Sequence, residues 1–329
     1  MNGFKVMMDQ TAFAKNKGLL LAVLSAAGFS AKAIFVKLGF GYHASAEALL
    51  MLRMLFALPF FVIMAWVCIR QGALRRMGRQ ETAAVIILGL CGYYLASLFD
   101  FIGLQYISSG LERLLLFLYP TVVLLISVLF LGKRYPQRVW LAVLLAYAGA
   151  ALALQHDLAA AKANEQVWTG VAWVGASMLV YAVYVAGSGE WLARIGATAF
   201  AAFASLVACI AVMLHFGLTS AWSSLILPPQ VYIIALAMAL FSTVFPVWAL
   251  SQAIRLLGAG RAASVSTLGP VLTLFMGWSI LGESLSGLQL AGAALTIGGV
   301  VLIARSGQPG EKTTGHCAAR LGARQSECA

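Results

Sequence analysis

Charge is scarce in this sequence. Only 10% of its 329 residues are Asp, Glu, Lys or Arg, where soluble domains carry about 25%. Acid is the scarcer sign, with 11 Asp and Glu against 22 Lys and Arg. At 62% hydrophobic residues and a mean hydropathy of +0.91, a soluble fold would lack the polar surface to cover its core. A soluble globular enzyme and a disordered chain are thereby excluded. Cysteine is too sparse for a disulfide scaffold. Cys68, Cys91 and Cys209 lie in apolar runs and Cys317 and Cys328 in a polar tail, with no CxxC or Cys/His spacing that suggests zinc. His43, His156, His215 and His316 are scattered, and no serine has a visible base partner. There is no Walker-type glycine loop, so ATP is not the direct energy source. No basic stripe carries interleaved aromatics, so the net charge of +11 does not point to nucleic acid. Neither a metal nor a cofactor is expected.

What is present is a series of long apolar runs. A membrane-spanning helix needs about 20 apolar residues. Ten candidates fall at 18–38, 45–69, 83–103, 109–131, 138–155, 168–187, 196–216, 230–251, 261–281 and 286–304. The last two are joined only by Gly282-Glu283-Ser284-Leu285, a tight turn. Ala31-Lys32-Ala33 mimics a signal-peptide cleavage site, but losing the first segment would leave nine spans, and it is expected to be retained. Residues 1–17 read as a cytoplasmic N-terminal segment, 156–167 as an outside linker and 306–329 as a disordered cytoplasmic tail.

Alternating the loops from a cytoplasmic N-terminus puts 17 of the 22 Lys and Arg residues inside. The positive-inside rule therefore places both termini in the cytoplasm.

The chain also matches itself weakly at an offset of 150. Between 110 and 153, the identities include Gly110/Gly260, Leu118/Leu268, Pro120/Pro270, Leu124/Leu274, Leu131-Gly132/Leu281-Gly282, Gly149/Gly299 and Leu152/Leu302. Gly18 and Ser25 match Gly170 and Ser177 at an offset of 152. Five spans per half is an odd number, so the second copy must enter the membrane upside down. The cations follow the side faced: Lys133-Arg134 on the cytoplasmic side become Glu283-Ser284 outside. Inverted repeats are an architecture of secondary transporters.

With Tyr119-Pro120 and Gly269-Pro270 in the fourth span of each half, and Leu281-Gly282-Glu283 followed by Gly292 and Gly298-Gly299-Val300, the chain resembles EamA-type exporters of the drug/metabolite transporter superfamily. The resemblance covers residues 18–305. Lys133 departs from it, standing where the second half has Glu283. It implies an all-α membrane protein of ten transmembrane helices, as two inverted five-helix repeats (18–155 and 168–305) around a central cavity. Helices 1, 3, 4, 6, 8 and 9 would line that cavity. It also implies a multi-pass inner-membrane location, as monomer or homodimer, and no enzymatic activity.

Ionisable groups inside spans cost about 2.5–3.5 kcal/mol each on insertion scales and usually face a cavity or a partner. Lys32, Arg53, Asp100, Glu112 and Arg113 all fall in the outer half of the first repeat, and the second repeat has nothing comparable. Lys32 reads as a ligand for a substrate carboxylate or phosphate, as a pKa-shifted lysine that couples protons, as the partner of Asp100 or Glu112, or as a lysine snorkelling outward. Arg53 and Glu112 read as members of structural ion pairs. Arg113 reads as a cavity ligand or an interface residue. Tyr93, Ser97 and Asp100, at i, i+4 and i+7, share a helix face and are expected to line the cavity. Tyr181 and Tyr184 share a face of the sixth span and could stack on an organic substrate. Pro120 and Pro270 are expected as symmetric hinges, and Gly282, Gly292, Gly298 and Gly299 as close-packing positions. The function expected is secondary-active export of a small organic metabolite by alternating access, an amino acid or related carboxylate being favoured. A flippase for a lipid-linked substrate is the alternative. An intramembrane enzyme, a channel and a purely structural protein are further ones.

Overall fold

The computed structural model describes residues 2–131, 136–160, 165–257, 265 and 268–306. Every regular element among them is a helix, because within lipid the backbone must satisfy its own hydrogen bonds. In chain order these are α1 (Asn2–Phe40), α2 (Ala46–Arg70), α3 (Arg79–Gly89), α4 (Ala96–Gly103), α5 (Ser109–Leu116), α6 (Tyr119–Leu131) and α7 (Gln137–Ala160). The series continues with α8 (Glu165–Ile195), α9 (Ala197–Thr219), α10 (Pro229–Ala239), α11 (Phe245–Leu257), α12 (Gly269–Leu281) and α13 (Gly287–Ser306). Eight described helical segments are long and apolar enough to cross a membrane, and Gly269–Leu281 and Gly287–Leu302 are shorter apolar helices. Leu218 is 86% exposed and Leu129 75%, a surface that only lipid would solvate well. The chain is a multi-pass membrane protein. The expected tail, the Lys133-Arg134 loop and the start of the ninth candidate span lie outside the described residues. So does the middle of the linker, which narrows as α7 runs to Ala160 and α8 starts at Glu165.

The repeat is explicit in the helix bounds. Arg79–Gly89 and Pro229–Ala239 correspond at an offset of 150, as do Tyr119–Leu131 and Gly269–Leu281. Two π-helical turns correspond as well: Leu90–Leu95 joins α3 to α4, and Leu240–Val244 joins α10 to α11. Packing follows the same exchange. The pair α1·α11 is matched by α8·α4, α1·α12 by α8·α6, and α2·α10 by α9·α3, while α2·α9 and α7·α13 map onto themselves.

The weak sequence matches fall at these shared contacts. Ser25 donates to the Pro246 carbonyl at 2.9 Å, and Ser177 to the Ala96 carbonyl at 2.7 Å. A Cβ on Gly18 would press on Leu256 and Leu257, and one on Gly170 on Tyr106 and Ile107. On the α7·α13 seam a Cβ at Gly149 would meet the Gly292 oxygen at 2.4 Å, and one at Gly299 the Ala142 oxygen at 2.5 Å. Bare glycine lets these backbones touch. Gly292 and Gly299 thus pack within the chain, whereas Gly298 has open space and Gly282 ends α12 in the left-handed region at φ 68.

The prolines stand at breaks. Pro120 and Pro270 are each the second residue of a new helix, α6 and α12, where a missing N–H costs nothing. Before them Leu118 N–H bonds the Leu115 carbonyl and Leu268 N–H the Val265 carbonyl, both at 3.1 Å, the same tightened turn in each half.

Candidate functional site

The charges of the first half converge. Lys32, about three-quarters along α1, places its Nζ 2.5 Å from Asp100 Oδ2 and 3.4 Å from Glu112 Oε1. The Asp100 and Glu112 side chains are 2% and 0% exposed, and that of Lys32 16%. Asp100 is on α4, and Glu112 lies in the first turn of α5, where a carboxylate gains from the helix N-terminus. Asp100 Oδ1 and both Glu112 oxygens find no hydrogen-bond donor among the described residues.

Arg53 departs from expectation. It is buried, but among the described residues no carboxylate lies within ion-pair distance. Its Nη2 instead donates to Ser97 Oγ at 3.1 Å, and its guanidinium lies 4.9 Å from the Phe101 ring centroid. Ser97 and Phe101 occupy successive turns of α4, so a planar cation can bond one and stack on the other. Glu112, the other expected member of a structural pair, is bound to Lys32.

The Tyr93–Ser97–Asp100 stripe is divided. Tyr93 sits inside the π turn, whose wider coil changes the angular relation to the following helix. Ser97 and Asp100 meet Arg53 and Lys32, while the Tyr93 hydroxyl is 3.3 Å from that of Tyr184. Tyr184 in turn stacks at 5.6 Å on Tyr181, which makes an edge contact at 5.1 Å with Tyr119. Bare Gly92 makes room for this row, since a Cβ there would lie 2.3 Å from the Tyr184 ring. By the offset of 152 that relates α1 to α8, Tyr184 is the counterpart of Lys32, so the two halves put a phenol and an ammonium at one structural position.

Arg113 joins the halves. A Cβ on Gly269, at the start of α12, would lie 2.7 Å from Arg113 Nη2. The guanidinium therefore rests on the break that opens α12. Its Nε is buried without a hydrogen-bond partner, and among the described residues no carboxylate comes within ion-pair distance.

Sequence reasoning missed Glu283 and Ser109 as partners. Glu283, on the α12–α13 turn, accepts from Ser109 N–H at 3.0 Å and Ser109 Oγ at 2.7 Å, capping α5. The signal was the Leu281-Gly282-Glu283 motif, whose partner lies 174 residues away. Tyr119 was noted for its proline and not for its ring.

Comparison with known proteins agrees with this architecture. The chain is 29% identical over 290 residues to the uncharacterized transporter YcbK of Bacillus subtilis (strain 168), covering 87% of this chain and 91% of that one. It is 23% identical over 224 residues to the uncharacterized transporter YdfC of the same organism, covering 67% and 71%. A solved crystal structure superposes with a TM-score of 0.54 at 20% identity, covering 87% of this chain and 96% of its own, a likeness of fold. The profile of the EamA-like transporter family matches twice, over residues 16–155 and 168–305, and the chain belongs to that family.

Proposed function

We propose that this transporter is a secondary-active exporter of a small organic metabolite carrying a carboxylate, such as an amino acid. It works by alternating access in a bacterial-type inner membrane, with both termini cytoplasmic. In this reading the ten apolar helices are two five-helix halves of opposite orientation, and the breaks before Pro120 and Pro270 are the hinges about which they rock. The matched packing pairs and the loop cations support it.

One observation carries the substrate class. Arg113 is a partly buried cation without a carboxylate partner among the described residues, set between the halves beside a row of tyrosines. Guanidinium matches a carboxylate bidentately, and Tyr119, Tyr181, Tyr184 and Tyr93 offer faces to the organic remainder. Lys32, held by two carboxylates, reaches a substrate only by exchanging one of them. In this reading Ser97 and Asp100 act through Arg53 and Lys32, which they contact.

A lipid-linked substrate would need entry from the side. The groove between α3 and α8 lined by Gln80, Ala84, Leu88, Gly187 and Trp191 is the feature that favours that second reading.

The test is counterflow in liposomes with labelled amino acids, polyamines, nucleosides and nucleotide sugars. Saturable exchange of a carboxylate class, lost in Arg113→Ala, is the expected result. Exchange only of cations such as polyamines would overturn the substrate class.

A further inference from the structure

The carboxyl groups of Asp100 and Glu112 share a single ammonium, yet three of their four oxygens receive no hydrogen bond from the described residues. Two ionised carboxylates in this setting would leave acceptors desolvated without compensation. One proton resolves the arrangement: the protonated group becomes an O–H donor to its neighbour, and Lys32 faces one net negative charge. We propose that Asp100 and Glu112 form a proton-binding site, and that its filling and emptying drive the transport cycle. The second clause rests on the transporter reading above; the first does not.

The surrounding groups fit a site holding one proton. From α1 comes Lys32. From α2 comes Arg53, tied to Ser97 one turn before Asp100. On α5, Arg113 follows Glu112 but lies against Gly269. Glu283 is occupied at the α5 N-terminus. From α8, Tyr184 bonds Tyr93 and Tyr181 packs on Tyr119. From α7, Tyr147 lies 3.2 Å from Thr121. The sequence of α12 has no titratable side chain. The second half carries no equivalent carboxyls: the counterparts of Asp100 and Glu112 at an offset of 150 are Leu250 and Ala262.

The step is a balanced proton transfer. Water delivers a proton to a carboxylate oxygen, no carbon bond changes, and release returns it to water on the opposite side. Coupling follows if a cationic group of the substrate, brought beside the pair, lowers its hold on the proton and expels it, and the proton returns when the substrate departs.

Infrared spectroscopy of the full-length protein at neutral pH tests the site. A protonated-carboxyl C=O band, shifted in D2O, is expected in the wild type. It should vanish in both Glu112→Gln and Asp100→Asn, because either substitution leaves one carboxylate paired to Lys32. No such band, or a band that survives both substitutions, overturns the site. Using two variants guards against one that fails to fold. A pH-sensitive dye in liposomes tests coupling: net flux of a counterflow substrate down an imposed gradient should move protons the opposite way, and the movement should be lost in both variants. Net substrate flux without linked proton movement overturns the coupling. Counterflow without the band leaves the transporter reading standing and sinks the proton site. The band without counterflow of any panel member upholds the site and sinks the reading as an exporter of small carboxylates.

Discussion

Glu283 closes on Ser109. Its two oxygens accept from the serine amide and hydroxyl at 3.0 and 2.7 Å, fixing the last interhelical turn of the second half to the helix that carries Glu112 and Arg113. Gly277 leaves the space, since a Cβ there would lie 2.7 Å from both Glu283 Oε2 and Ser109 Oγ. A carboxylate at a helix N-terminus is held by charge as well as by hydrogen bonds, each worth about 1.5–3 kcal/mol.

Glu283→Gln is therefore expected to lower the melting temperature of the purified protein more than Ser109→Ala, which keeps the backbone bond. Glu283→Asp, with its shorter reach, should fall between wild type and Gln. Equal melting of Glu283→Gln and wild type would mean the contact adds nothing to stability.

The α7·α13 seam gives a controlled comparison of glycines. Gly149→Ala sets a Cβ 2.4 Å from the Gly292 carbonyl oxygen, so the helices must part, at about 1–3 kcal/mol. Gly298→Ala meets nothing within 4 Å and should be neutral, or stabilising by up to about 1 kcal/mol through helix propensity. Thermal melting of the two variants side by side checks this; equal losses would contradict the packing.

Much of this was legible in sequence, for identifiable reasons. Apolar runs fix spans because lipid leaves the backbone no alternative to helix. Gly18, Ser25 and Gly149 were legible as repeat residues because each sits where a helix approaches closely and only a small side chain serves. The convergence of Lys32, Asp100 and Glu112 was legible because buried charges seek partners. Other features were not. The π turns at Leu90–Leu95 and Leu240–Val244 leave the apolar pattern intact while shifting its phase, so the Tyr93–Asp100 stripe looked continuous. Arg53 was assigned a carboxylate on charge alone, but a guanidinium can also be satisfied by Ser97 and the face of Phe101. The Glu283–Ser109 contact joins residues 174 apart in sequence, and no local pattern carries that information.

Arg113 separates geometry from charge. Arg113→Lys keeps the cation but loses the planar fork, and Arg113→Ala loses both. If a carboxylate substrate docks bidentately, Lys should recover only a small part of the saturable counterflow, with the apparent KM raised by about tenfold or more, equivalent to one lost hydrogen bond of about 1.4 kcal/mol. Full activity in Arg113→Lys would reduce the role to simple charge. Tyr184→Phe, which removes only the 3.3 Å contact to Tyr93, should retain most of the exchange.

Lys32 is the harder case, because its loss damages the fold and the function together. Lys32→Met alone strands Asp100 and Glu112 in the interior, and breaking a buried pair in this way costs about 3–5 kcal/mol. A dead transporter would then prove nothing about mechanism. Combining Lys32→Met with Asp100→Asn and Glu112→Gln removes all three charges while nearly preserving shape, and replacing a buried ionic set with neutral groups is often neutral or stabilising. The triple variant should melt at or above the wild-type temperature and yet transport nothing. If it melts as expected and also transports normally, the cluster serves the fold alone. If Lys32→Met by itself melts like wild type, the ion pairs at 2.5 and 3.4 Å contribute little to stability. The comparison of single with triple assigns the charges because stability responds to whether they are paired, whereas transport responds to whether they are present.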